Sequence, residues 1–559
     1  MLKKKFNSNY LGKFYFKKTF FFLLIFIIIL VYYNYILNSG YGPSDEQNFL
    51  KRFFTKGFYQ YWIDGVSGML TRTISHTLYA LFFEFFNGGE KIITLVTSIS
   101  WLIIVFFTSL SLKRFVNKTI YFFFILLSCF PFFVTSIFLN PVYFFTYGYS
   151  ILFWSISLYL ILKYSENKKN IFYFASLFFL TLGLFTVENL PSLLILSIFL
   201  PALNELKKQN NFGRKKFIKV SYFYFKPVLF VSLVFVIFKF YLATLITPKY
   251  QIYGTDIGII STLQALYYYF VILFEVPILL YSAIYQINNF KYIFLALLIL
   301  IIIFFIFKNV KLKTSKFKNK KFDLYFINII FFSLFLGSFI FLVSGYPVST
   351  FGYFNKLIVP SFLIYTILFS IFLNYLFKKK YKILIYPLVI FWIISFNVQL
   401  DNFVEAKKMR EKILNDLAYE FNKNNISTMN LIANVPTYLK NNYNNENIFN
   451  YSSSVPNYFN YKYNINIKNF WLLNDRKIKS NYQPEENIKN FINLFENNVI
   501  YYYYQYELGD TNYIFEVLSG KEEIIKKIKS LEKKTINTSS IILNERIRVF
   551  FTEFYFNKF

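Results

Sequence analysis

Asp45 and Glu46 are adjacent carboxylates that follow the first hydrophobic stretch, Thr19 to Leu37, after only a few residues. A carboxylate can act as a general base when it lies within hydrogen-bond reach of the proton that it removes. This position beside a membrane would let the pair act on a substrate carried by a lipid. The alternative is that both are solvated loop acids. The chemistry to consider first is therefore proton abstraction at a membrane surface.

Arg72 and His76 lie in the stretch from Phe49 to Phe86 that follows this pair. Apolar residues recur there at helical spacing, at Leu70, Ile74, Leu78, Leu81, Phe82 and Phe85. The opposite face contains Arg72, Ser75, His76 and Tyr79. This pattern predicts a helix lying in the membrane interface on the side of Asp45. Arg72 is the leading candidate to bind phosphate, because a guanidinium matches phosphate oxygens in a fork. The alternative is a polar stripe that faces lipid headgroups.

Two further ionisable residues are candidates for substrate binding. Lys356 follows Gly345 to Asn355, in a loop that enters the next apolar stretch, and is the second candidate for phosphate. It could equally extend to headgroups. Glu188 interrupts an apolar run, where ionisable residues are costly and often functional. Its alternative role is to cap the helix that begins near Asn189 and Pro191.

Composition places the chain in a membrane. It has 559 residues, of which 56% are hydrophobic, and a mean hydropathy of +0.41, beyond what a soluble core needs. The formal net charge of +31 would suggest nucleic acid in a soluble protein, but most Lys residues lie between apolar stretches and indicate topology instead. Cys129 and His76 are the only Cys and His. Intrachain disulfides are thus excluded, and a zinc site built from Cys and His is not expected.

The apolar stretches predict eleven spans, or up to thirteen. They lie near 19–37, 91–112, 119–138, 146–163, 171–187, 189–206, 226–246, 290–307, 324–343, 357–377 and 382–399. Lys residues before the first stretch keep the amino terminus in the cytoplasm, and the later basic loops follow the same bias. The run from Ile171 to Leu203 is too long for one crossing, so Glu188, Asn189 and Pro191 predict a hairpin. Thr262 to Tyr285 is expected to form a re-entrant or outer-surface helix, since a crossing there would put the lysines between Lys308 and Lys321 outside.

Composition changes after Leu400. Residues 401–559 lack a further apolar span and predict a small extracytoplasmic α/β domain beside a membrane domain of residues 1–400. Asp401 to Asn424 predicts an amphipathic helix, and Glu522 to Lys534 a second helix. The predicted strands are Met429 to Val435, Val499 to Tyr506 and Arg546 to Tyr555. No phosphate loop, dinucleotide fingerprint or serine-hydrolase elbow occurs in this domain.

A first span followed by Ser44, Asp45, Glu46 and Phe49, then by interfacial helices bearing an Arg, resembles the first outer loop of GT-C membrane glycosyltransferases. Among these, protein O-mannosyltransferases and the aminoarabinose transferases of lipid A are similar in style. The resemblance implies an all-α polytopic fold in which residues 38–90 form the first outer loop. It assigns the catalytic or metal-associated carboxylate to Asp45, with Glu46 beside it. The implied partners are the bilayer and a polyprenyl-phosphate sugar donor, and the implied location is the inner (plasma) membrane.

The sequence does not identify the sugar, the acceptor, the metal dependence or the oligomeric state. No second acidic motif stands in a later outer loop apart from Asp256, so a divalent cation stays an open question. Two other functions remain. A polysaccharide polymerase or ligase would share the lipid-linked substrate, but usually has its large outer domain between spans. A transporter would require broken spans in two matching halves, which the sequence lacks.

Overall fold

The computed structural model describes most of the chain, with gaps. The described residues are 8–39, 46–68, 72–132, 134, 136–139, 143–187, 190–209, 213–238, 241, 289–309, 320–336, 359–379, 381–435, 438–440, 445–447, 455–456, 459, 463, 465–474, 477–480, 486–487, 499–506 and 513–534. The segment Thr262 to Tyr285 and the predicted strand Arg546 to Tyr555 lie outside these residues.

The chain divides into two compact units. One comprises Met1–Gly40 with Lys56–Asp401, and the other Tyr41–Thr55 with Asn402–Phe559. The division falls within helix α2 (Glu46–Gly68), next to Gly57, whose φ of 73° interrupts the helical backbone. A residue with a side chain rarely adopts that φ, so glycine suits this kink.

The first unit is helical. Its helices are α1 (Ser8–Asn38), α2, α3 (Thr73–Phe86), α4 (Glu90–Leu112), α5 (Lys118–Ser128), α6 (Ser136–Leu139), a π-helical segment (Phe144–Gly148), α7 (Tyr149–Asn167), α8 (Asn170–Leu184), α9 (Pro191–Lys208), α10 (Arg214–Ile237), α11 (Phe290–Asn309), α12 (Lys320–Leu336), α13 (Val359–Lys378) and α14 (Ile385–Lys423). Helices α2 and α14 continue into the second unit.

Seven helices among the described residues are long and apolar enough to cross a membrane, and three shorter apolar helices accompany them. The protein is therefore a mostly α-helical, multi-pass membrane protein with a small sheet. The predicted first span and the span near 91–112 correspond to helices over Thr19–Asn38 and Glu90–Leu112. The predicted hairpin break is also confirmed, because α8 ends at Leu184 and α9 begins at Pro191.

The predicted span over 119–138 is wrong, since α5 ends at Ser128 and Pro131 follows shortly. Three side chains from other helices donate hydrogen bonds to the backbone oxygens at this early helix end. Trp392 of α14 donates to the oxygens of Leu127 and Phe130, at 3.0 and 2.9 Å. Trp101 of α4 donates to the oxygen of Ser128, and Tyr32 of α1 to that of Cys129, both at 2.8 Å. Four helix-end carbonyls thus gain partners in an apolar interior.

Two more predicted boundaries are wrong. Helix α10 begins at Arg214 rather than near 226, so the basic residues Arg214, Lys215 and Lys216 form its first turn instead of a loop. The span over 382–399 and the amphipathic helix from Asp401 are one continuous helix, α14. In both places an apolar stretch adjoins charged residues with good helix propensity, and the backbone continues across the change in polarity.

Interhelical hydrogen bonds involve small polar residues of α7. Ser157 donates to the backbone oxygen of Ser176 in α8 at 2.8 Å, and Ser165 accepts from Asn204 of α9 at 2.9 Å. Trp154 donates to the oxygen of Leu193 in α9 at 2.9 Å. Such bonds stabilise helix pairs where water is absent.

One end of the bundle contains a carboxylate shared by several donors, which we call the Asp401 cluster. Lys291 at the start of α11 lies 2.8 and 2.6 Å from the two oxygens of Asp401. Tyr292 donates to the second of these oxygens at 2.8 Å, and Asn34 of α1 to the first at 2.9 Å. The cluster therefore joins α1, α11 and α14.

The other end contains what we call the Glu166–Glu205 network. Arg114, after α4, contacts Glu166 of α7 at 2.5 Å, and Lys163 lies 3.9 Å from the same carboxylate. Lys168 contacts Glu205 of α9 at 2.5 Å, and Tyr224 of α10 donates to it at 2.8 Å. Lysine ammonium groups also reach backbone oxygens: Lys207 donates to that of Arg114, and Lys208 to that of Glu166.

The second unit contains a mixed sheet. Its strands are β1 (Thr428–Asn434), β4 (Asn466–Asn474), β5 (Lys477–Ser480), β6 (Glu486–Asn487), β7 (Ile500–Tyr506) and β8 (Tyr513–Ser519), in the order β6-β5-β4-β1-β7-β8. Strand β1 is parallel to β4 and β7, and the outer pairs are antiparallel. A separate hairpin pairs β2 (Tyr438–Lys440) with β3 (Asn445–Asn447).

Both faces of the sheet are packed. Leu431 and Ala433 of β1 join Ile413, Leu417 and Phe421 of α14 in one core. On the other face, Ile432, Trp471 and Tyr503 pack with Ile524 of α15 (Lys521–Lys534). The predicted strands near 429–435 and 499–506 and the helix over 522–534 match β1, β7 and α15. Strand β4 was not predicted, since Asn residues at 466, 469 and 474 obscure its apolar centre.

Candidate functional site

The first turn of α3 packs against the turn between α8 and α9. Ser75 is buried and donates its hydroxyl to the backbone oxygen of Thr186 at 2.8 Å. The amide of Ile74 points at the oxygen of Phe185, at a longer 3.4 Å. Helix α3 ends at Phe86, and the left-handed φ of 47° at Asn87 terminates it.

His76 and Tyr79 lie on the inward face of α3. His76 is 7% exposed and Tyr79 3%, and their rings meet edge to face with centroids 5.8 Å apart. The hydroxyl of Tyr79 shares a hydrogen bond with that of Thr146. Thr146 belongs to the π-helical segment, a backbone form that often marks functional positions. The face therefore joins an imidazole and two hydroxyls in a dry setting.

Gly65 of α2 permits this arrangement. A Cβ at position 65 would lie 2.8 Å from Nδ1 of His76, closer than real Cβ contacts. Helices α2 and α3 are also joined by Trp62, whose indole donates to the hydroxyl of Thr77 at 3.0 Å. The close crossing at Gly65 thus fixes the imidazole against α2.

Arg72 precedes the first residue of α3 and is half-buried. Burial raises the pKa of Tyr79 above its usual value, and the hydrogen bond with Thr146 and the charge of Arg72 oppose that shift only in part. Tyr79 therefore keeps its proton at neutral pH and serves as a hydrogen-bonding group, not as a base. Arg72 supplies the positive charge at the edge of this face.

The alternative that His76 belongs to a polar stripe turned towards lipid headgroups is wrong, because His76 and its neighbours Ser75 and Tyr79 are buried. The outward face of α3 is apolar instead, with Phe85 75% exposed and Leu81 38% exposed. The physical reason is that Thr146 and the oxygen of Thr186 provide partners for the polar face. The spacing in the sequence identified the face but not its direction.

Among the candidates from the sequence, the structure brings together Arg72, just before α3, and His76 in α3. Glu46 is the first residue of α2, and its side chain is not described. Asp45, Glu188 and Lys356 lie outside the described residues. Sequence reasoning missed Thr146 and Gly65, because both act through contacts distant in sequence that their own spacing does not reveal.

Within the described part of the chain, no three His, Cys, Asp or Glu side chains gather as a metal site would require. Comparison with protein-family models, with curated proteins and with solved structures found no match for this chain.

Proposed function

We propose that the chain is an integral membrane glycosyltransferase of GT-C type. It transfers a sugar from a polyprenyl-phosphate-linked donor to a glycan, lipid or protein of the cell envelope, at the outer face. The observation that supports this best is the inward polar face of α3, where His76 and Tyr79 are buried next to Arg72. A structural helix at a membrane surface would direct its polar face towards water or headgroups.

The proposed chemistry needs a base and a positive charge. Asp45, with Glu46 next to it in the sequence, accepts the proton of the acceptor hydroxyl; were a divalent cation bound there, the Asp45 carboxylate would be its ligand. The acceptor oxygen forms a bond to the anomeric carbon while the bond from that carbon to the phosphate oxygen breaks. Arg72 stabilises the departing polyprenyl phosphate by charge and by paired hydrogen bonds. His76, Glu188 and Lys356 bind the donor and the acceptor.

The proposal requires a defined topology. The amino terminus and the loop from Lys308 to Lys321 are cytoplasmic, and the residues after Asp401 are outside the plasma membrane. Reporter fusions at Phe559 measure this directly. We expect a periplasmic or extracellular signal, and a cytoplasmic signal would place the proposed site on the wrong side.

Substitution of Asp45 by Asn tests the chemistry, because it keeps the size of the side chain and removes the base. We expect transfer of radiolabelled sugar from a polyprenyl phosphate to membrane acceptors to fall by about a hundredfold or more. Arg72→Ala should also lower transfer, by losing phosphate stabilisation.

The matched control is Asp64→Asn in α2, an exposed carboxylate that pairs with Lys56. It makes the same chemical change in a neighbouring segment and should leave transfer unchanged. Each variant is checked for insertion and for its elution in size-exclusion chromatography. Transfer at nearly the wild-type rate by well-inserted Asp45→Asn protein would rule out this mechanism.

A further inference from the structure

Helix α10 is the least buried of the seven spanning helices among the described residues. Its inner face is regular, with buried residues at helical spacing: Ser221, Tyr224, Val228, Val231 and Phe235. Tyr224 donates to Glu205, so the first half of α10 lies at the end of the bundle that contains the Glu166–Glu205 network. The opposite face of α10 is exposed and therefore borders lipid.

This outer face combines cations with apolar side chains. Six exposed residues follow one another at intervals of three or four: Lys215, Lys219, Tyr222, Lys226, Leu229 and Leu233. The ammonium of Lys226 lies 4.7 Å from the centre of the Tyr222 ring. Tyrosine is enriched where headgroups meet hydrocarbon. One stripe thus leads from positive charge into the apolar layer, in the same order as the headgroup and chains of a phospholipid.

Four cations at the start of α10 lack a counter-charge from the chain. Among the described residues, no ion pair, side-chain hydrogen bond or ring contact involves the side chains of Arg214, Lys215, Lys216 or Lys219. The sequence has no Asp or Glu between Glu205 and Asp256. By contrast, Lys168, Lys207 and Lys208 at the same end of the bundle each contact a carboxylate or a backbone oxygen.

Helix stability does not account for these four cations. The amino-terminal end of a helix carries partial positive charge, so Lys and Arg are unfavourable in its first turn. Arg214, Lys215 and Lys216 occupy that turn, and it contains no acidic residue. An anion outside the chain would offset this repulsion.

We propose that the outer face of α10 binds anionic phospholipids of the surrounding leaflet through Arg214, Lys215, Lys216 and Lys219. These residues extend about 8 Å along the helix at 1.5 Å per residue, close to the thickness of one headgroup layer, about 5 to 8 Å. The lipid chains pack along Leu229 and Leu233, and the bound headgroups fix the depth of α10. On the topology proposed above, this end is cytoplasmic and lies across the membrane from Asp45. The lipid is therefore not the sugar donor, and its binding does not depend on glycosyl transfer.

Lipid binding is measured by native mass spectrometry on the full-length protein, delipidated in detergent and titrated with phosphatidylglycerol. Phosphatidylcholine, which has no net charge, and inorganic phosphate, which has no chains, are the comparison ligands. We expect the Kd for phosphatidylglycerol to be at least about fivefold below that for phosphatidylcholine. Equal binding of phosphatidylcholine would mean that headgroup charge is not recognised. Displacement of the lipid by an equal concentration of inorganic phosphate would mean that the chains are not recognised. Either result overturns the proposal.

Lys215→Gln and Lys219→Gln should each raise the Kd for phosphatidylglycerol about fivefold, which is the contribution of one Lys near an anionic surface. The double variant should raise it further. Lys215→Arg and Lys219→Arg keep the charge and should keep the wild-type Kd.

The matched control combines Lys113→Gln with Lys118→Gln. Both lysines are exposed, and Lys113 adjoins Arg114 of the Glu166–Glu205 network. The control removes the same charge at the same end of the bundle and should leave the Kd unchanged. An equal rise in Kd here would mean that overall charge attracts the lipid, and would overturn the assignment to α10.

Lys residues also orient spans during insertion, so each variant is checked with a reporter at Phe559. If correctly inserted Lys215→Gln/Lys219→Gln protein binds phosphatidylglycerol at the wild-type Kd, the cations serve insertion alone and the proposal fails. The two single variants provide the same test if the double variant does not insert.

Discussion

The two ends of the helical bundle hold their carboxylates in different ways. At one end, Asp401 alone accepts from Lys291, Tyr292 and Asn34, so three helices depend on one side chain. At the other end, the contacts are distributed over two carboxylates, those of Glu166 and Glu205. Each has at least two partners, and nearby lysines bind backbone oxygens as well.

This difference in arrangement predicts a difference in sensitivity. Removal of a shared carboxylate leaves a partly buried cation without its counter-charge, which costs more than an ordinary exposed ion pair contributes. In the Glu166–Glu205 network, a cation that loses one carboxylate still has other hydrogen-bond acceptors nearby, so the loss of stability is smaller. Burial also predicts a large loss of stability at the Asp401 cluster, since the side chain of Asp401 is 17% exposed and that of Lys291 31%.

Asp401→Ala is expected to have the largest effect. It should lower the free energy of unfolding by about 2 kcal/mol, less than the loss for a fully buried pair because Lys291 is partly solvated. SDS titration of the purified protein in mixed micelles measures this. Asp64→Ala, at an exposed pair of α2, is the control and should change stability by less than about 0.5 kcal/mol.

A second substitution sharpens this result. Lys291→Met in the Asp401→Ala background removes the stranded cation and should recover part of the lost stability. If Asp401→Ala unfolds at the wild-type SDS concentration, the shared carboxylate is not what joins the three helices.

Glu166→Gln is expected to have a smaller effect, about 1 kcal/mol, measured in the same titration. Arg114 retains its hydrogen bond to the oxygen of Leu110 at 2.6 Å, and the amide of Gln still accepts. Within the same network, Lys168→Met should change stability least, because Lys168 is 50% exposed. A loss at Glu166 that equals the loss at Asp401 would remove the distinction between the two ends.

Much of the helical unit could be predicted because hydrophobicity determines where spans lie. The helices over Thr19–Asn38 and Glu90–Leu112 and the break before Pro191 follow from local sequence. The end of α5 does not, since Trp101, Trp392 and Tyr32 act from other helices. Likewise, nothing within residues 382–424 indicates that the helix continues unbroken from apolar to charged sequence.

In the candidate site, too, local sequence predicts some features and distant contacts determine the others. Spacing was sufficient to group Arg72, Ser75, His76 and Tyr79 on one face of a helix. The direction of that face depends on Thr146 and on the oxygen of Thr186, more than 60 residues away in each case.

The indole caps on α5 have a consequence for biosynthesis. Trp392 is made 265 residues after Leu127, whose oxygen it caps. Until the ribosome reaches α14, the oxygens of Leu127 and Phe130 accept only from the amides of Phe130 and Phe132, at 3.0 and 2.9 Å, and lack their indole donor. The early helices therefore complete their packing only when the last one arrives, so a chain truncated before Trp392 presents an unfinished bundle to membrane quality control.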